Sequence, residues 1–279
     1  MLNQSFFTKL ISCYANRYNP NEFFANNWVY EGLVRYGPNG DVLPALAKDW
    51  DKVDLENGGV KYTFHLRQDV KFHDGTDWNC AAAKMNLDHV FAGALREPFW
   101  HGWYGVPKYI NDWSCEDEKT LVMSISTKFY PFLQELTFIR PIRFLSPEAF
   151  AEGNTSDPFT ANSCEPGWTS ETPLEQEGSP PVTCKGISNM IGTGPFSFVS
   201  RDEDVLTSAN FDETRIDNNV IFKANEEWWD GPIDIDYLKV IRYNNAEEIE
   251  SALLDGSLDV MWGDVSRMFL LQVFNSFRY

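Results

Sequence analysis

Positive charge is scarce here: 23 Lys and Arg stand against 41 Asp and Glu, a formal net charge of −18. A field of that sign repels phosphate backbones and anionic headgroups, which sets aside nucleic-acid binding and attachment to anionic membranes and promises solubility. Long apolar runs are missing too. No stretch reaches the roughly 18 consecutive apolar residues of a membrane-spanning helix. The first thirteen residues, Met1 to Cys13, hold one late Lys and a broken apolar run, without the basic start and long apolar core of a signal peptide. Either a signal is absent from this form of the chain, or the mature start is being read. Histidine is rare, and the four present are scattered. The five cysteines (Cys13, Cys80, Cys115, Cys164 and Cys184) include no CxxC pair, so no zinc pattern emerges. No GxSxG, Walker loop, HExxH or complete dinucleotide fingerprint occurs.

What is present is a chain of 279 residues, 43% hydrophobic, with 21 Phe, 11 Tyr and 10 Trp. That suffices for a sizeable core, in one large domain or two smaller lobes. Much of the aromatic area belongs in that core, and a Trp-lined cleft does not follow from a count.

Along the chain, Trp28–Tyr36 is an apolar element stopped by the turn Gly37-Pro-Asn-Gly40. In Val60–Arg67, Tyr62, Phe64 and Leu66 alternate with Lys61, Thr63, His65 and Arg67, the period of a half-buried strand. Asn79 is a good N-cap for a helix running to Phe91, with Leu87, Val90 and Phe91 as its buried stripe. Lys119–Ser126 reads as a strand, and Phe129–Phe144 is apolar but broken by Pro131 and Pro141. Pro195–Val199, Asn219–Lys223, Tyr237–Tyr243 and Leu258–Trp262 read as further strands. Asn245 with Glu248 resembles a capping box opening a helix that ends at Gly256 and buries Ile249, Ala252 and Leu253. Residues 151–189 are polar, rich in Pro and Gly, and long for a loop inside a compact domain. Cys164 and Cys184 flank part of that loop. A disulfide between them would restrict the unfolded chain by about 3 kcal/mol and would imply an oxidising compartment; two free thiols are the other reading. Asn3-Gln-Ser and Asn154-Thr-Ser match the glycosylation triplet, which matters only in a secreted chain. Strands and helices together favour an α/β or mixed α+β fold.

Several blocks then resemble one family. Leu46-Ala-Lys-Asp-Trp50, Tyr62-Thr-Phe-His-Leu-Arg67 and Val70-Lys-Phe-His-Asp-Gly75 follow the pattern of the bacterial extracellular solute-binding proteins of family 5, the peptide- and nickel-binding receptors of ABC importers. Gly192-Thr-Gly-Pro-Phe196, Asn225-Glu-Glu-Trp-Trp-Asp-Gly231 and Glu248–Val260 fit further elements of that pattern, in the right order. Phe129–Leu136 and Arg140-Pro-Ile-Arg-Phe144, with Tyr18, Asn21 and Phe24-Ala25 ahead of Trp28, are similar to its nickel-binding branch.

The resemblance implies a periplasmic-binding-protein-like lobe of the type II kind. Residues 1–36 would begin lobe I, 37–190 would form an inserted subdomain, 191–263 would return to lobe I, and 264–279 would start a crossover toward an absent lobe II. It implies an extracytoplasmic receptor, periplasmic or at the cell surface. Such a receptor would carry a nickel chelate or oligopeptide to an ABC permease, without catalysis or a resident cofactor. Arg140 is the residue by motif position to grip carboxylates of the ligand, since guanidinium offers a planar fork of donors; Arg143 is the weaker candidate. His101 and Trp103 would line the cleft, with Trp100 and Tyr18 as further candidates. Where the nickel pattern has a second Arg, Phe99-Trp100 stands instead, and Arg96 is the nearest cation. A metal-binding His would come from lobe II, so direct ligation by this chain is not expected. His65 and His73 read as surface or packing residues, and His89 falls on the exposed side of its helix. Two other classes remain open: a truncated relative that binds nothing or docks a protein, and a carbohydrate hydrolase, which needs paired carboxylates about 5–10 Å apart. No such pair stands out.

Overall fold

In the computed structural model the described residues are 27–91, 105–138, 142–149, 190–207, 213–243 and 245–260. Among them, an antiparallel sheet of order β3-β4-β6-β5 forms the middle of the molecule, from Ala47–Asp54 (β3), Val60–Leu66 (β4), Ile110–Asp117 (β5) and Thr120–Ile125 (β6). The alternation expected over residues 60–67 is realised in β4: Val60, Tyr62, Phe64 and Leu66 are buried, and the residues between them are half-buried. That face receives Phe132 on Tyr62, with ring centroids 4.6 Å apart.

The helix expected from Asn79 is α1, Cys80–Phe91, and the Asn79 side chain accepts from the Ala82 N–H at 3.0 Å, as an N-cap should. Leu87 is buried as expected. The side chains of Val90 and Phe91 lie outside the described set. Two short helices follow, α2 (Val106–Tyr109) and α3 (Phe132–Thr137), the second starting directly after Pro131. Proline is compatible with the start of a helix because the N–H it lacks has no intrahelical partner there.

A hairpin of long strands, β7 (Phe196–Thr207) and β8 (Glu213–Ala224), extends with β9 (Tyr237–Ile241) to a second antiparallel sheet of order β7-β8-β9. The sequence indicated only the ends of this hairpin nearest the core; its distal half is polar and carries no alternation. A small ribbon of β1 (Val34–Tyr36) and β2 (Val42–Pro44) closes around the turn at 37–40, where Asn39 and Gly40 both take positive φ. The helix α4 (Ala246–Leu254) opens as foreseen, with Glu248 N–H donating to Asn245 Oδ1 at 2.9 Å. Ala252 is buried, Ile249 and Leu253 are half-buried, and Gly256 follows with φ 77°. Leu258–Val260, expected as the start of a strand, is not in a strand, and Met261–Trp262 lie outside the described residues.

One hydrophobic cluster joins these parts, from Val29, Tyr30 and Leu33 through Phe64, Trp78 and Leu87 to Phe144, Phe196 and Phe222. A disulfide between Cys80 and Cys115 fastens the first turn of α1 to β5. The sequence pointed to no partner for either residue, because a pairing across a separation of 35 positions leaves no local signal. The other pairing considered, Cys164 with Cys184, falls outside the described residues. The described helices include none long and apolar enough to cross a membrane.

Candidate functional site

The segments that resemble the family converge on a junction around Glu31. Its carboxylate is half-buried and accepts from Thr193 Oγ1 at 2.8 Å, Trp229 Nε1 at 2.8 Å and Trp228 Nε1 at 3.4 Å. Burial pushes the Glu31 carboxyl above its ordinary value of 4.5, outweighing those three hydrogen bonds and the attraction of Arg35. Arg35 itself is ion-paired with Asp230, and the Arg67 guanidinium lies 4.0 Å from the centroid of the Trp229 ring, a cation–π contact. Arg67 also donates to the Ala45 carbonyl at 2.7 Å.

Gly192 and Gly194 bring a second strand of chain against this element. A Cβ at Gly192 would lie 1.9 Å from the Val29 carbonyl oxygen, and one at Gly194 would lie 2.4 Å from that of Trp28. No other residue fits there without parting the backbones. The Gly192→Ala variant is therefore expected to lose about 1–3 kcal/mol of stability, measured by urea unfolding.

His73 locks the same contact. Its Nδ1 accepts from the Gly192 N–H at 3.3 Å and its Nε2 donates to the Gly194 carbonyl at 2.9 Å, the pattern of a neutral ring protonated at Nε2. Burial accordingly lowers the His73 pKa, against smaller opposing effects from the Gly194 carbonyl and Asp74. Beside it, burial raises the Asp74 carboxyl, but hydrogen bonds from Ser146 and Thr76 outweigh that and leave it below its ordinary 3.8. The motif residues Glu31, His73, Asp74, Gly192, Gly194, Trp228 and Trp229 thus form packed scaffold. From sequence, only the reading of His73 as a surface or packing residue left room for this. The signal available for Glu31 was a lone acid inside the apolar run 28–34.

Of the residues expected to meet a ligand, Tyr18, Trp100, His101, Trp103 and Arg140 lie outside the described residues. Arg143 is placed: its guanidinium donates to the carbonyls of Ile142 at 2.9 Å and Thr137 at 3.0 Å and to Asn27 Oδ1 at 3.2 Å. Those bonds tie the chain after α3 to the element holding Glu31. The described chain on either side of the other candidates is also held. The Glu135 carboxylate on α3 accepts from the N–H groups of Gly105 at 2.9 Å and Val106 at 2.7 Å. Gly105 lies two positions after Trp103, and α3 ends three positions before Arg140. Among the described residues no cluster of His, Cys, Asp and Glu is arranged to hold a metal ion.

Antiparallel sheets with peripheral helices, joined by a signature spent on packing, define a mixed α+β scaffold. The model of the bacterial extracellular solute-binding proteins, family 5 Middle, matches residues 41–273, and the chain belongs to that family. It is 28% identical over 250 residues to the nickel-binding periplasmic protein of Escherichia coli, covering 88% of this chain and 38% of that one. It is likewise 28% identical over 219 residues to di/tripeptide-binding protein 2 of Pseudomonas aeruginosa, covering 75% of this chain and 34% of that one. The crystal structure of NikA from Brucella suis in complex with Fe(III)-EDTA superposes with a TM-score of 0.63 at 25% identity, over 88% of this chain and 40% of that one. The sequence therefore spans about two fifths of the length of these relatives. Family members are binding proteins, and those named for their compartment are periplasmic.

Proposed function

We propose that this chain is the lobe I portion of an extracytoplasmic solute-binding receptor that delivers a nickel chelate or a short peptide to an ABC permease. The carrying observation is the arrangement around α3. Arg143 ties the C-terminal end of this helix to Asn27, and Glu135 holds the backbone of Gly105 and Val106; in sequence, Trp103 lies two positions before Gly105 and Arg140 three after Thr137. Arg140 supplies the carboxylate-gripping fork, Trp103 and Trp100 supply flat apolar surface, and His101 and Tyr18 supply polar contacts. Nickel in this reading is cargo, carried by its chelator. The division into residues 1–36, 37–190, 191–263 and 264–279 belongs to the same proposal. The Cys80–Cys115 disulfide supports a location outside the cytoplasm, since such bonds persist in oxidising compartments.

Titration with nickel–histidine, and separately with short peptides, should change the intrinsic tryptophan fluorescence. Arg140→Ala should weaken the ligand that binds by about tenfold or more, the usual loss for a charge-assisted hydrogen-bonded pair. A flat response to both ligand classes would instead support a lobe that binds no small molecule.

A further inference from the structure

We infer that Glu135 is a positioning residue that makes α3 the common anchor of the two segments expected to meet the ligand. The inference rests on the binding reading above, but its geometry stands on described residues alone. Each carboxylate oxygen takes one backbone N–H: Oε1 that of Gly105 and Oε2 that of Val106, at 2.9 and 2.7 Å. A carboxylate bridging two successive amides fixes both the place and the direction of the backbone, because neither oxygen can move without lengthening a bond.

Three other contacts confine the same stretch. The Phe129 ring sits so close to Gly105 that a Cβ there would lie 2.1 Å from its Cζ. Phe129 also packs on Tyr109, with centroids 5.0 Å apart. Ser126 N–H donates to the Tyr109 carbonyl at 2.8 Å, joining the stretch to the end of β6. Residues 105–109 and 129–137 thus behave as one body. The chain leaving it in one direction reaches Trp103 and His101, and in the other direction Arg140. Glu135 would then hold the described backbone that these segments adjoin in sequence, without touching a ligand.

Gln has the shape of Glu but offers one acceptor where two are needed, and turns an NH2 group toward the second N–H. A role in packing alone would leave Glu135→Gln like the wild type. The anchoring role predicts a graded order, Glu above Gln above Ala. Amide hydrogen exchange read by mass spectrometry on the full chain should show residues 105–106 exchanging about tenfold faster in Glu135→Gln, and faster still in Glu135→Ala. The strands β4 and β6 should keep their protection. Asn245→Ala, a lost helix cap on α4, serves as the control: it lowers global stability without changing exchange at 105–106.

With nickel–histidine as probe, Glu135→Gln should bind about fivefold or more weakly at an unchanged melting temperature. Unchanged exchange at 105–106 in the Gln variant overturns the anchor. Faster exchange with unaltered affinity overturns its link to the ligand. A wild-type chain that binds no probe counts against the receptor reading and removes that link, while the exchange data still decide the anchor.

Discussion

Glu31→Ala is expected to destabilise the protein by about 3–5 kcal/mol, read from the urea midpoint at pH 7. The loss is large because truncation leaves the Thr193 hydroxyl and the two indole N–H groups of Trp228 and Trp229 without their acceptor inside the protein. It also removes the carboxylate that faces Arg35. Glu31→Gln keeps the volume and one acceptor and should cost less. The two variants separate further with pH. Burial raises the Glu31 pKa, so above 4.5 the folded chain holds this proton more tightly than the unfolded one. The corresponding stability is complete below 4.5 and is lost as pH rises through the folded value. Glu31→Gln should abolish that decline. Asp74 acts in the opposite sense: its lowered pKa contributes stability above 3.8 that is lost as pH falls through its folded value. An Asp74→Asn variant should therefore flatten the acid limb and leave the Glu31-dependent limb intact.

Opening the Cys80–Cys115 bond is expected to cost about 4 kcal/mol, the chain-entropy figure for a loop spanning 35 residues. Cys80→Ser and Cys115→Ser should show the same loss as chemical reduction of the wild type, and reduction should have no further effect through this pair in either variant. Peptide mapping without reductant should recover the two cysteines in one cross-linked fragment. The physical effect is local as well as global. The bond ties α1 to β5, an edge strand of the four-stranded sheet that is otherwise held by β6 on one side. Reduction should therefore raise hydrogen exchange in β5 before it does so in β4.

Local pattern and local chemistry were enough for much of the framework. The period-two run 60–66 could only be a half-buried strand, because burying Tyr62, Phe64 and Leu66 together requires a pleated backbone. Asn79 and Asn245 announced their helices through side chains that reach no farther than the next turn. Recognition of the family rested on the same kind of text, and the match over 41–273 agrees with it. The strand β5 was not legible, since Ile110–Asp117 is mostly polar and exposed and is a strand only because β6 offers it an edge. The glycines at 192 and 194 were visible as part of a motif, but their purpose was not: a glycine required by a carbonyl from residue 28 or 29 leaves no trace in its own neighbourhood.

What the sequence by itself determined, then, is the set of elements with their caps and turns, the excess of negative charge, and the family; each depends on residues a few positions apart or on bulk composition. Only the tertiary structure decided which cysteines join and that the signature residues around Glu31 are packing rather than cleft. It likewise showed that Arg143 serves main-chain carbonyls and that Glu135 holds residues 105–106. Apart from the carbonyls of Ile142 and Thr137, which lie 1 and 6 positions from Arg143, the partners behind those facts are 29 to 198 positions away along the chain. Their physical cause is desolvation and contact in space, which no window along the chain contains.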